Sequence, residues 1–285
     1  MSPREKARAS WLRRDLRPAI AVLIAAGIWG IYAILRVTQR LPQRYDGVTS
    51  LRAAVFVGAI TAVLLVLGAV IKRRDAITVG GAVFDLRLTV AFVLGIVLPM
   101  LVFYGHKFFG HRAYDQFVFF LVIPVAFIVF AFRQDPREYG LGLGRWKEGL
   151  IWTVVGIAIM APILWYLGTH DPAMRQYYRV GAERSTGMIL WEWGVEMFAW
   201  EFIWRGFYLA ALLRVMGPGP AILLQGVPFA FMHMGKPEFE ALSTPIGGTC
   251  FAFVAWRTRA FWPAFLIHWF MIVFLELAAR GRLPF

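Results

Sequence analysis

Residues 188–213 read MILWEWGVEMFAWEFIWRGFYLAALL. This run is longer than the roughly 20 residues with which a helix crosses about 30 Å of hydrocarbon. Its acidic and basic side chains are Glu192, Glu196, Glu201 and Arg205. The run therefore predicts a membrane helix that carries charge at the depth of the lipid tails, where charge is costly.

Apolar segments of this kind recur along the whole chain. The chain is 59% hydrophobic and only 16% charged, which is more apolar surface than one soluble core can bury. The segments lie at about 19–35, 51–71, 89–105, 115–132, 149–168, 188–213, 220–234, 244–256 and 262–279. The sequence predicts an all-α, polytopic integral membrane bundle of about eight or nine transmembrane helices.

Ionisable side chains are unevenly distributed between the two parts of the chain. The apolar segments between Ala19 and Phe132 contain almost none, whereas those after Met188 contain several. We therefore expect residues 1–135 to form N-terminal membrane helices that act as a scaffold. Residues 136–285 are expected to form the domain that carries the chemistry.

The net charge of +13 comes from short basic clusters between the apolar segments. This layout predicts contact with anionic membrane lipid and no nucleic-acid partner. Cys250 is the only cysteine, so no intrachain disulfide can form. Six basic residues precede the first apolar segment, namely Arg4, Lys6, Arg8, Arg13, Arg14 and Arg17. They favour a cytoplasmic N-terminus in a multi-pass protein, which we expect in the bacterial inner (plasma) membrane.

Four ionisable residues on three apolar segments suggest one shared polar pocket. Glu201 and Arg205 are four residues apart, which places them on one helix face. His233 and His268 lie in two later segments. A buried ion pair that joins two helices, together with two histidines satisfied in the core, would give the same pattern.

Such a pocket is compatible with two kinds of chemistry. A carboxylate and an imidazole can deprotonate a water while a second imidazole stabilises an oxyanion, as peptide hydrolysis requires. Glu201, His233 and His268 are also a possible ligand set for a divalent metal such as zinc. The spacing of these residues does not decide between the two.

Three sequence motifs resemble the EExxxR, FxxxH and HxxxN pattern of the CPBP family, the CAAX protease and bacteriocin-processing enzymes also called Abi. They are Trp200-Glu201-Phe-Ile-Trp-Arg205, Phe229-Ala-Phe-Met-His233 and His268-Trp-Phe-Met-Ile272. The resemblance extends over roughly residues 140–276. It implies a CAAX-protease-like core and an intramembrane endopeptidase acting on a membrane-associated or lipidated peptide or protein tail. Glu201, Arg205, His233 and His268 are the catalytic residues that it implies.

The sequence departs from the family pattern at two positions. Trp200 stands where the leading glutamate activates water in the family, and Ile272 stands where an asparagine helps to hold the oxyanion. Glu196 lies one helical turn before Trp200, about 40° from its side-chain direction. We therefore include Glu196 among the candidate catalytic residues.

Two other functions are compatible with the same sequence. The departures at positions 200 and 272 suit a catalytically inactive relative that binds membrane peptides or proteins. Intramembrane ionisable groups also occur along the ion paths of transporters, but this chain has no visible inverted repeat.

Overall fold

A computed structural model gives the fold of residues 108–283 except 180–182, 216 and 234. It also describes short pieces at 77–79, 82–84, 90, 94–95, 97–99 and 102. The predicted segments at 19–35 and 51–71 lie outside these residues. Strand β1 (Ile77–Val79) pairs antiparallel with β2 (Ala82–Phe84), inside a stretch that the sequence analysis treated as a connector.

The rest of the described chain is helical. Helix α1 runs from Arg112 to Ala131, and its α-helical parts alternate with two π-helical turns, Val118–Val122 and Phe127–Ala131. A 3-10 turn follows at Pro136–Tyr139. The later helices are α2 (Trp146–His170), α3 (Pro172–Arg179), α4 (Thr186–Glu201), α5 (Leu209–Val215), α6 (Pro218–Phe231), α7 (Glu238–Thr258) and α8 (Trp262–Ala279). The "π segment", Phe202–Tyr208, joins α4 to α5 without a break.

Local signals in the sequence set several helix ends. The Ser185 hydroxyl accepts a hydrogen bond from the Met188 amide at 3.2 Å and caps α4. Proline stands at the start of α6 and of α8, where its missing N–H leaves no hydrogen bond unmade. Helix α7 ends at Arg259, whose left-handed backbone (φ 57°) stops the helix.

The π segment lies in the centre of the bundle. All seven of its residues are buried, among them the aromatic side chains of Phe202, Trp204 and Phe207. Helix α4 packs on α1 and α8, α8 packs on α2, and α6 packs on α7. Helices α4 and α8 are therefore held on several sides, which fixes the side chains that they direct inward.

Successive helices run in alternating directions across the bundle, because connectors meet at two opposite ends. At one end, the Tyr178 hydroxyl donates to Glu240 at 2.6 Å. At the other, the Arg145 amide donates to the Thr258 carbonyl at 2.7 Å, and Arg214 pairs with Glu138 at 3.2 Å.

The described helices suit a lipid environment. Three of them, Arg112–Ala131, Trp146–His170 and Trp262–Ala279, are long and apolar enough to cross a membrane. Helix α2 exposes Ile151, Val154 and Ile159, each by more than half of its surface, which a water-soluble surface rarely tolerates in one row. The predicted all-α integral membrane fold is confirmed. The number of spans, eight or nine, stays a prediction.

Helix α3 was not predicted, because it lies between the apolar segments predicted at 149–168 and 188–213. Its eight residues are mostly polar, but it buries Met174 and Tyr178 against the bundle. Two apolar contacts on a polar segment are too few to give a periodic signal.

Candidate active site

A small cavity lies between α1, α3, α4, α8 and the loop after α6. Its lining side chains are Arg112, Tyr177, Trp193, Glu196, Met197, Trp200, His233, Lys236, His268 and Ile272. The cavity measures about 40 Å³, more than the roughly 10–15 Å³ that one water needs. Three of the five predicted site residues, Glu196, His233 and His268, therefore share one space that can hold water.

Glu201 lies behind the cavity and is completely buried. Its Oε1 lies 2.5 Å from Nδ1 of His268. Its Oε2 lies 3.2 Å from Nε of Arg205, which is four residues further on. The carboxylate thus binds the predicted arginine and one predicted histidine together.

The Arg205 guanidinium is held on its other sides by α6 and α7. It lies 3.9 Å from the centre of the Phe229 ring, within the range of a cation–π contact. Its Nη2 lies 3.4 Å from the Gly248 carbonyl oxygen. Arg205 does not line the cavity and contacts Glu201 from outside it.

Both histidines contact an acceptor through Nδ1. For His233 this acceptor is the Phe229 carbonyl oxygen, at 2.8 Å, and for His268 it is the Glu201 carboxylate. Since a carbonyl or carboxylate oxygen only accepts, Nδ1 carries a proton in each ring, and Nε2 has a lone pair whenever the ring is neutral. Each ring can therefore offer Nε2 to a water or a substrate in the cavity.

Glu196 is held from α1. Its Oε1 accepts a hydrogen bond from Nε2 of Gln116 at 2.9 Å and lies 3.1 Å from Nε of Arg112. Only 6% of the Glu196 surface is exposed, and Gln116 is completely buried. The carboxylate one turn before Trp200 thus belongs to the cavity.

The two residues that depart from the family pattern also line the cavity. The Trp200 ring lies 6.0 Å from the His233 ring and 5.8 Å from that of Phe229. Trp200 and Ile272 therefore form an apolar part of the cavity wall. The family pattern has a carboxylate and an amide at these two positions.

Lys236, in the loop before α7, lines the cavity. Its Nζ lies 3.1 Å from Oε1 of Glu240 and 3.2 Å from the Tyr178 hydroxyl. Burial raises the pKa of the Glu240 carboxyl, but Lys236 and Tyr178 outweigh this effect and hold it below its usual value. Burial lowers the pKa of Lys236, and the attraction of Glu240 more than reverses this. The pair is therefore charged near neutral pH.

Arg184 joins α4 to α8 at the same end of the bundle. Its guanidinium binds Glu192 at 2.5 Å and Glu276 at 2.6 Å, and we call these three residues the Arg184 clamp. Burial lowers the pKa of Arg184, but the two carboxylates raise it overall. Glu192 and Glu276 thus stabilise the helix pair and do not line the cavity.

The possible metal ligands Glu201, His233 and His268 do not fit a metal in this geometry. Within the described residues, no three His, Cys, Asp or Glu side chains are grouped closely enough to hold one ion. Both oxygens of Glu201 already contact His268 or Arg205, and a metal would have to displace the arginine cation.

Sequence reasoning missed four residues at or beside the cavity: Arg112, Gln116, Tyr177 and Lys236. All four lie in or next to polar connectors, where charged and polar side chains are expected and give no signal. Their position depends on how the connectors fold back over α4, which the spacing of residues does not show.

Residues 183–274 match the family model described as Rce1-like, type II CAAX prenyl endopeptidase Rce1-like. This segment contains all five predicted site residues and both departures, and α1 lies outside it. No curated protein and no solved structure matches the chain. The predicted domain boundary near residue 135 stays a prediction. With its apolar helices and this match, the chain is an integral membrane protein in which residues 183–274 form a CAAX-protease-like segment.

Proposed function

We propose that this protein is an intramembrane endopeptidase that cleaves a membrane-associated or lipidated peptide or protein tail. The observation that carries the proposal is that Glu196, His233 and His268, all within the matched segment, meet around one cavity that can hold water. The carboxylate can accept a proton from a water, one imidazole can hold that water, and the other, when protonated, can donate to the oxyanion.

In the proposed reaction, Glu196 takes a proton from a water molecule. The oxygen of that water attacks the carbonyl carbon of the substrate. The electron pair of the C=O bond moves to the carbonyl oxygen, which accepts a hydrogen bond from a protonated histidine. The intermediate then collapses, the C–N bond breaks, and Glu196 returns the proton to the leaving amine. No atom or electron is left over, and Glu196 ends as a carboxylate.

His268 is suited to stabilise the oxyanion because Glu201 stands behind it. A carboxylate on Nδ1 stabilises the imidazolium form, which can donate from Nε2. Glu201 thus acts as a positioning residue in this proposal, although the sequence assigned water activation to it. Arg205 orients Glu201, and His233 holds the water through Nε2.

The walls of the cavity favour an apolar substrate segment. Trp193, Met197, Trp200 and Ile272 surround the polar groups. About 40 Å³ holds the reacting bond and its water but not a lipid chain, so a lipid tail would lie outside, along the helices. Membrane lipid and a membrane-associated substrate are therefore the proposed partners.

We also propose that the protein lies in the bacterial plasma membrane with its N-terminus in the cytoplasm. The basic cluster from Arg4 to Arg17, directly before the first apolar segment, supports this orientation.

Cleavage is measured with the full chain in liposomes. The substrates are a farnesylated peptide with a CAAX-type C-terminus and its unlipidated form, and mass spectrometry detects the released C-terminal fragment. Glu196→Gln, His233→Gln and His268→Gln should each lower kcat/KM by about 100-fold or more, as expected for loss of a general acid–base group.

Matched controls are Glu138→Gln and His170→Gln, which change exposed residues outside the cavity. Both should cleave like the wild type. Full cleavage by all three cavity variants would overturn the proposed site. A wild-type protein that binds the peptides without cleaving them would be an inactive, peptide-binding relative.

A further inference from the structure

The carboxylate at the centre of the proposed reaction is held by a helix outside the family segment. Gln116 and Arg112, both on α1, reach the same oxygen of Glu196, at 2.9 and 3.1 Å. The family match begins at residue 183. The site therefore depends on a part of the chain that the motifs do not include.

Gln116 is an unusual residue for a scaffold helix. It is completely buried, and its Oε1 has no hydrogen-bond partner among the described residues. A buried amide that is only half satisfied is costly, and helix packing alone would favour an apolar side chain here. Its one strong contact, from Nε2 to Glu196, points to a role tied to that carboxylate.

The two contacts also divide the roles of the Glu196 oxygens. Both donors reach Oε1, and in the proposed reaction Oε2 takes the proton of the water. Two donors on one oxygen fix the orientation of the carboxylate and stabilise its ionised form, which is the form a general base needs.

We infer that Arg112 and Gln116 are positioning residues that orient Glu196 as the base. The inference rests on the proposed function, and it gives α1 a part in the reaction beyond the scaffold role expected from the sequence.

The test variant is Gln116→Met, which keeps the length of the side chain and removes the amide. We expect kcat to fall about tenfold, the effect of losing one hydrogen bond to a charged group, with KM changed less than about twofold. The acidic limb of the pH–rate profile should move, because the base loses a hydrogen-bond donor. A merely structural role would lower activity without moving this limb.

Other titratable groups line the cavity and keep their surroundings in the variant, namely Arg112, Tyr177, His233, Lys236 and His268. The matched control is Gln134→Met. This half-buried glutamine binds Tyr139 and Arg214 far from the cavity, so its variant should keep the wild-type pH profile. A Gln116→Met protein with wild-type kcat and pH profile would overturn the inference.

A second measurement does not need activity. Infrared titration in detergent can follow the carboxylic acid band that disappears in Glu196→Gln, and its midpoint should differ between the wild type and Gln116→Met. An unchanged midpoint refutes the inference even if the protein cleaves peptides. A shifted midpoint in a protein that cleaves nothing supports the contact and refutes the proposed function.

Discussion

Glu201 has two partners of different kinds, a permanently charged guanidinium and a titratable imidazole. The Arg205 guanidinium lies 3.2 Å from Glu201 and neutralises its charge. The Glu201 carboxylate lies 2.5 Å from Nδ1 of His268 and orients that ring. The Arg205 side chain is buried among aromatic rings, so no water replaces its partner. Removing one member of this group leaves a charge in a low-dielectric interior, which is more costly than losing the contact itself.

Arg205→Met should therefore lower the free energy of unfolding by about 3–5 kcal/mol. The double variant with Glu201→Gln should recover part of this loss, because the uncompensated carboxylate is gone. Thermal unfolding in detergent micelles measures both effects.

The comparison variant is Arg214→Met, which breaks the exposed pair with Glu138 and should cost about 0–1 kcal/mol. If Arg205→Met is no less stable than Arg214→Met, the buried pair does not stabilise the fold.

The sequence indicates a candidate site residue where a charged side chain interrupts an apolar segment. Glu196, Glu201, Arg205 and the two histidines were found in this way, because lipid makes such residues costly. Which of them face the cavity was not predictable. That outcome depends on the hydrogen bonds of Glu201 and on the fold of the connectors.

Among the helices and turns, the π segment does most to place the charged residues. Its wide turns follow Glu201 directly, and π turns are often found at functional sites. At Gly206 the backbone passes very close to its neighbours. A Cβ there would lie 2.7 Å from the Tyr139 carbonyl oxygen and 2.7 Å from a ring carbon of Phe202. Only glycine fits without a shift.

Gly206→Ala should lower the free energy of unfolding by about 1–3 kcal/mol, because a backbone carbonyl cannot move aside easily. Gly247→Ala, on α7, is the control. Nothing lies within 4 Å of its added Cβ, and alanine favours helix, so this variant should be as stable as the wild type or more so. Equal unfolding temperatures for the two variants would contradict the close approach at Gly206.

The helices themselves differed in how well the sequence predicted them. All six apolar segments after residue 115 are helical in the structure, because long apolar segments in lipid must satisfy their own backbone. The sequence did not predict helix α3, because contacts that hold it are made with residues far along the chain, Lys236 and Glu240.

At the scale of the whole molecule, the number of crossings cannot be read from helix length alone. Helix α6 has 14 residues, about 21 Å at 1.5 Å per residue, which is shorter than the hydrocarbon layer. The alternating connector contacts nevertheless put α3 and the loop before α7 at one end of the bundle.

Cysteine labelling can test the orientation, since Cys250 is the only native thiol. In a Cys250→Ser background, Ser2→Cys should react with an impermeant maleimide only after the cells are permeabilised. Gln176→Cys, exposed on α3, should react in intact spheroplasts if all nine segments cross. The reverse pattern would show that the basic N-terminus is outside.

The positions of the lining residues along the chain also determine when the cavity can form. In sequence order, its lining residues begin with Arg112 on α1 and end with His268 and Ile272 on α8. Glu276, the partner of Arg184, lies on that helix too. A ribosome-bound chain that has not yet inserted α8 therefore has Glu196 and His233 but no complete cavity. The cavity is complete only when α8 packs on α4 and Glu276 binds Arg184.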